Sequence, residues 1–237
     1  MRDLKPLKWT ELILLFGIPT ILNTVACKIL IPLLFNNTDL SIEICYFLSV
    51  GLIVLVPMFF GAIWLSSREP GSYKLKLLLD RMRIRKLNGA DIVWTIAGFV
   101  FLSFFSFLIA KILLPAIGID AAPFFFKNMP LNDRYMYILY VWPLFFFFNI
   151  FGEEFLWRGY IQPRQELLNK KWTWLVHGVL WAGFHIPMGF DLMLSATPIF
   201  FILPGIVQIR KNTTISIIIH FVFGAFGFLA LALGAVH

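Results

Sequence analysis

Long apolar runs alternate with short polar segments along most of this chain. Seven runs approach the length that a helix needs to cross a bilayer, about 20 residues. They cover 10–35, 42–66, 90–118, 139–162, 172–190, 196–209 and 213–236. The sixth is short and carries Pro204 and Gly205, which suits a tilted, broken or re-entrant segment. The pattern predicts an all-α fold, a polytopic transmembrane helical bundle of about seven spans, between about six and eight.

The fourth run breaks its own rule. Glu153, Glu154 and Arg158 lie inside a stretch otherwise apolar enough to span. A charge at the centre of a membrane helix costs about 2.5–3.5 kcal/mol on insertion scales. Three together call for a compensating use.

Composition agrees with the span pattern. The 237 residues are 59% hydrophobic and 14% charged, against about 25% charged in soluble domains. Phenylalanine alone accounts for 27 positions, which suits lipid-facing surface. The net charge of +7 invites a nucleic-acid reading, but the cations fall in the short connections between runs, so no nucleic-acid partner is expected. Sixteen of the twenty Lys and Arg lie in the N-terminal tail, the 67–91 loop, the Arg158–Lys171 region and the pair Arg210–Lys211. Only Lys127 and Arg134 lie in the alternate connections. By the positive-inside rule the N-terminus is cytosolic and the bilayer itself is the first partner. The basic start (Arg2, Lys5, Lys8) leads into a run too long for a secretory signal, so a retained first helix is expected. Cys27 and Cys45 have no metal-type spacing and indicate no disulfide framework. The 67–91 loop, with Tyr73, Leu75, Met82, Ile84 and Leu87 among basic residues, reads equally as an amphipathic stretch on an anionic leaflet or as a solvated loop. The chain divides into N-terminal membrane helices, 1–133, and a helical core bearing the chemistry, 134–237.

Helical spacing sorts the intramembrane charges. Glu154 and Arg158 are four residues apart and share a face, where each offsets the other's burial. Glu153 lies on a different face and has no such partner, which makes it the candidate general base. His185 and His220 follow in later runs. At a rise of about 1.5 Å per residue, Glu153 and His220 both lie roughly 14 Å from the nearest basic end, and His185 roughly 20 Å from its own. All three can therefore meet in one cavity near mid-membrane. His177 is read as packing or supporting, and His237 as a solvated end. Two carboxylates, an Arg and two His can activate water and hold an oxyanion. Glu153, His185 and His220 could equally ligate a divalent metal such as Zn²⁺. No H-E-x-x-H, G-x-S-x-G or G-x-G-D motif is present, which counts against the familiar zinc, serine and aspartate membrane proteases.

Glu153-Glu154-x-x-x-Arg158, then Trp181-x-x-x-His185, then His220 in the last apolar run resemble the CAAX-protease and bacteriocin-processing (Abi) family of Rce1-type intramembrane endopeptidases. The resemblance covers roughly residues 135–236. It implies a peptidase facing the cytosol, in a prokaryotic plasma membrane, acting on a peptide or on the C-terminus of a prenylated protein. It assigns water activation to Glu153, support to Glu154 and Arg158, and the second- and third-motif histidines to His185 and His220. Two positions depart from the family pattern. Trp181 stands where Phe is usual, and Gly224 stands four residues after His220 where the family has an Asn that helps hold the oxyanion. Asn149, four residues before Glu153, is the candidate substitute, either contributing an amide to the site or orienting Glu153. Two other classes fit the same composition. One is a non-catalytic bacteriocin-immunity or scaffold protein, which the missing Asn favours. The other is a transporter, which the absence of an inverted repeat disfavours.

Overall fold

Helix is the only regular structure among the described residues, as expected where the backbone finds no water to bond. The structure is a computed structural model and describes residues 4–68, 74–119, 124–126 and 128–235. Arg2, Tyr73, Lys127, Val236 and His237 lie outside them.

In chain order the helices are α1 (Trp9–Asn37), α2 (Ile42–Ser67), the short α3 (Leu75–Arg81), α4 (Gly89–Ala116), α5 (138–169), α6 (Thr173–His185), α7 (Phe190–Ser195), α8 (Thr197–Arg210) and α9 (Thr213–Ala232). Five helical stretches are long and apolar enough to cross a bilayer, one of them the 51-residue stretch Ile138–Met188. Drawn straight, that stretch would reach about 75 Å, more than twice a hydrocarbon core. It reverses at Lys170 (φ 50°, ψ −123°), so it supplies both the fourth and the fifth expected runs.

Two boundaries differ from the sequence reading. The expected fourth span stops at Gln162, but α5 continues to Asn169. Hydropathy misses this last part because it is polar, yet Gln162, Arg164 and Gln165 are buried. The fifth and sixth runs give helices of only 13 and 14 residues, α6 and α8, joined through α7. Each is shorter than the roughly 20 residues a crossing needs. Together they form a hairpin, with His185 at the end of its first arm.

Prolines shape the long helices. Widened π-helical segments at Ala26–Leu30, Gly51–Leu55, Ile109–Leu113 and Phe155–Ile161 each end two residues before Pro32, Pro57, Pro115 or Pro163. A proline lacks an N–H and presses on the carbonyl four residues back. A wider turn accommodates that clash without breaking the helix. The longest segment, Phe155–Ile161, begins directly after Glu154 and carries Arg158.

The helices cross closely at Gly152 of α5 and at Gly178 of α6. A Cβ on Gly152 would stand 2.6 Å from the Leu55 carbonyl oxygen of α2. Gly152→Ala should therefore force α2 and α5 apart and destabilise the protein by about 1–3 kcal/mol, the usual cost of overpacking. A lowered unfolding temperature in detergent would show this. An unchanged one would mean that α2 yields freely.

The cationic segments gather at one end of the bundle. Arg83 makes a two-pronged bond to Glu166 at 2.8 Å on each arm, and Lys211 reaches the same carboxylate. Arg210 pairs with Asp91 at 2.8 Å. Thr214 both donates to the Arg85 carbonyl and accepts from its N–H. The stretch after α3 is thus tied to α5 and to the α8–α9 turn, with Met82 and Arg83 buried. Cys27 and Cys45 are buried free thiols.

Candidate active site

Trp181 lies at the centre of the polar cluster. Its indole N–H donates to Oε2 of Glu153 at 2.7 Å. Its ring lies under the Arg158 guanidinium, with Cζ 3.5 Å from the ring centroid. It also stands edge-on to His220 and His185, at centroid distances of 6.0 and 5.8 Å. The sequence reading noted this residue only as a replacement for Phe. A phenyl ring could stack on Arg158, but it could not hold Glu153.

Glu153 is 2% exposed and held by three donors. Asn149 Nδ2 donates to Oε1 at 3.0 Å, and Trp157 Nε1 shares Oε2 at 3.3 Å. Asn149 and Trp157 lie one turn before and one turn after Glu153, so the helix itself brings both into reach. A carboxylate offers about four lone-pair sites. Three are engaged here, and the open one is on Oε1. The carboxylate that spacing left without a partner is therefore fixed, but by N–H groups rather than by a charge.

Glu154 is fully buried and faces the other way, toward α9. Arg158 Nη1 stands 3.3 Å from its Oε1, Ser216 donates to Oε2 at 2.6 Å, and His220 Nδ1 meets Oε1 at 2.8 Å. Ser216 precedes His220 by one turn, and its hydroxyl also meets the Thr213 carbonyl. The Nε, Nη1 and Nη2 atoms of Arg158 are buried without a hydrogen bond. Its compensation comes from the Glu154 charge and the Trp181 face, and cation–π attraction strengthens when desolvated.

The two histidines are anchored differently. His185 Nδ1 lies 3.0 Å from the Trp181 carbonyl. A carbonyl only accepts, so Nδ1 carries the proton and Nε2 is the open atom. His220 is anchored through Nδ1 to Glu154, which also leaves Nε2 open. Asn23 of α1 donates to the Phe184 carbonyl at 2.9 Å, securing the end of α6 beside His185. His177 is buried against Gln165, Nδ1 to Oε1 2.8 Å, and edge-on to Phe16, away from the others.

Asn149, Glu153, Trp181, His185, His220 and Gly224 line one cavity of about 390 Å³. Its remaining wall is largely aromatic and aliphatic, drawn from all three of α2, α4 and α8 besides the core helices. Glu154 and Arg158 stand behind this wall. Among the described residues no three His, Cys, Asp or Glu side chains group so as to hold a metal ion. Of Glu153, His185 and His220, the two histidines each keep an open Nε2 and Glu153 keeps one open lone pair on Oε1, while their other atoms serve the indole and amide donors, the Trp181 carbonyl and Glu154.

Residues 135–226 match the Rce1-like family, described as Type II CAAX prenyl endopeptidase Rce1-like. At family level this supports a CAAX-protease-like intramembrane endopeptidase. The matched stretch contains every residue of the cluster, from Asn149 to Gly224. With its apolar helices, the chain is an integral membrane protein. No curated protein and no solved structure matches the chain.

Proposed function

We propose that the protein hydrolyses a peptide bond of a membrane-associated substrate, in the manner of a CAAX prenyl endopeptidase, from the cavity that Glu153 lines. The N-terminus and the cationic end of the bundle then face the cytosol of a prokaryotic cell. The observation that carries this reading is the Glu153 carboxylate, immobilised by three N–H donors and lining a cavity with two histidines. Its open lone pair on Oε1 accepts a proton from water as the water oxygen bonds to the scissile carbonyl carbon, and the protonated Glu153 then gives that proton to the amide nitrogen as the C–N bond breaks and the amine leaves. His185 Nε2 accepts a hydrogen bond from the same water and orients it. The second N–H of Asn149 donates to the oxyanion, and so does Nε2–H of His220 in the form protonated on both nitrogens. Glu154 and Arg158 hold His220 and Trp181 in place and touch no substrate. The largely apolar cavity wall accommodates a prenyl chain or an apolar peptide flank.

The test is cleavage by purified protein of a farnesylated CAAX peptide and of its unmodified counterpart, read by mass spectrometry. A prenyl-directed enzyme cleaves the first faster, whereas cleavage of neither refutes the assignment. Trp181→Phe, which restores the residue usual in the family, should lower kcat about 10- to 100-fold, because one hydrogen bond to a charged group contributes about 1.5–3 kcal/mol. KM should be unchanged. A variant with full kcat would remove Trp181 from the positioning groups.

One observation favours a non-catalytic scaffold or immunity role. A Cβ on Gly224 would stand 3.1 Å from Cε2 of Phe146, so an aromatic ring fills the space an oxyanion-binding Asn would need. Biological protection that survives Glu153→Ala would establish that role over hydrolysis.

A further inference from the structure

A second pair of connected cavities lies between α1 and α2, away from the Glu153 cluster. One, of about 600 Å³, is lined by Lys5, Lys8, Arg68 and Arg164, with Glu11 the one carboxylate among its described lining residues. Glu11 is already engaged, accepting from the Lys8 backbone N–H at 2.7 Å. Arg164 is 2% exposed, stacked 4.0 Å from the Tyr160 ring centroid and bonded to the Tyr160 carbonyl, so its cation is built into the wall. The other cavity, of about 180 Å³, is an apolar groove running from Leu14 and Leu65 to Leu22 and Val54. The two share Leu14, Leu15 and Leu65 and so are continuous.

The combined shape has a cationic head and an apolar tail, and the tail lies along the helix axes. From residue 14 to residue 22 the groove extends about 12 Å. Trp9 and Trp64 flank the head and are half-exposed, and Arg68 stacks on Trp64 at 4.4 Å. Such aromatic residues sit at headgroup level. The head is therefore at the membrane–water boundary and the tail is in hydrocarbon.

We infer that this is a binding site for one anionic phospholipid, its phosphate among Lys5, Lys8, Arg68 and Arg164 and an acyl chain along Leu14, Ile18 and Leu22. A free phosphate would leave the groove unused. A zwitterionic lipid would place a second cation among four. Basic pockets between membrane helices hold anionic headgroups in this way. The site is independent of the peptidase reading, since it shares no residue with the Glu153 cavity.

The test is native mass spectrometry of the whole chain in detergent, titrated with phosphatidylglycerol or phosphatidylcholine of matched chains. Wild type should retain one phosphatidylglycerol in preference to phosphatidylcholine. Lys5→Gln with Arg68→Gln should weaken that retention, about fivefold per charge removed. Gly61→Leu tests the groove without altering charge. Gly61 lines the groove and a Cβ there meets nothing within 4 Å, so a leucine should fit, fill the groove and abolish retention. Unfolding temperatures near wild type would confirm that both variants fold. Equal retention of the two lipids, unchanged retention in both variants, or displacement by millimolar inorganic phosphate would overturn the inference.

Discussion

Glu154→Gln should be among the most destabilising single changes in the protein. It takes the paired carboxylate charge from the buried Arg158 guanidinium and, since a glutamine keeps only one oxygen, removes the acceptor of either Ser216 or His220. Breaking a buried ion pair from one side costs about 3–5 kcal/mol, because the surviving charge is stranded. In a chain of this size that corresponds to a fall of about 10 °C in unfolding temperature, measurable by thermal melts in detergent. The double variant Glu154→Gln with Arg158→Met should recover part of the loss, since no charge remains to strand. Additive losses would mean that the two residues do not form one unit.

Glu153→Gln should behave in the opposite way, with large effects on turnover and small ones on folding. The amide keeps an oxygen that can accept from one donor side, and no partner charge is stranded, since Glu153 is held by Asn149, Trp157 and Trp181. It cannot take a proton from water. General-base catalysis contributes about 10²–10⁴-fold, so kcat should fall by that factor while the melting temperature changes little. A collapse of stability alongside activity would make Glu153 a structural residue.

The parts of the site visible in the sequence are those that helical spacing or burial cost reveals. Three charges inside an apolar run mark α5 at once, because lipid makes them expensive. The Glu154–Arg158 pair follows from a four-residue step, and so does the reach of Asn149 to Glu153. Contacts between helices follow from no spacing rule. His220, matched to Glu153 by depth, is bonded to Glu154 instead, because adjacent residues on α5 face different neighbours. Trp181 reads in the sequence only as a replacement for Phe and Ser216 carries no signal, and only the α6 and α9 positions show that their hydrogens reach the two carboxylates. The step from Glu153 to Trp157, one turn along α5, was legible and was missed.

The fold was legible to a similar depth. Apolar runs located the helices, and prolines located their widened turns in retrospect. The end of α5 was not legible, since the polar stretch after Gln162 lacks the hydropathy of a span, yet Gln162, Arg164 and Gln165 are buried against α8, their own helix and α6. The short hairpin of α6 and α8 was foreshadowed for α8 by Pro204 and Gly205. For α6 it was hidden, because a 13-residue helix followed by apolar residues has the hydropathy of a full span.

The decisive measurement separates binding from chemistry at Glu153. Wild type and Glu153→Gln would be saturated with one farnesylated peptide, with occupancy measured by equilibrium binding and single-turnover cleavage followed by mass spectrometry. A water-activating Glu153 predicts equal occupancy and cleavage slowed at least about 10²-fold in the variant. Cleavage by the variant within a few-fold of wild type at equal occupancy would contradict it.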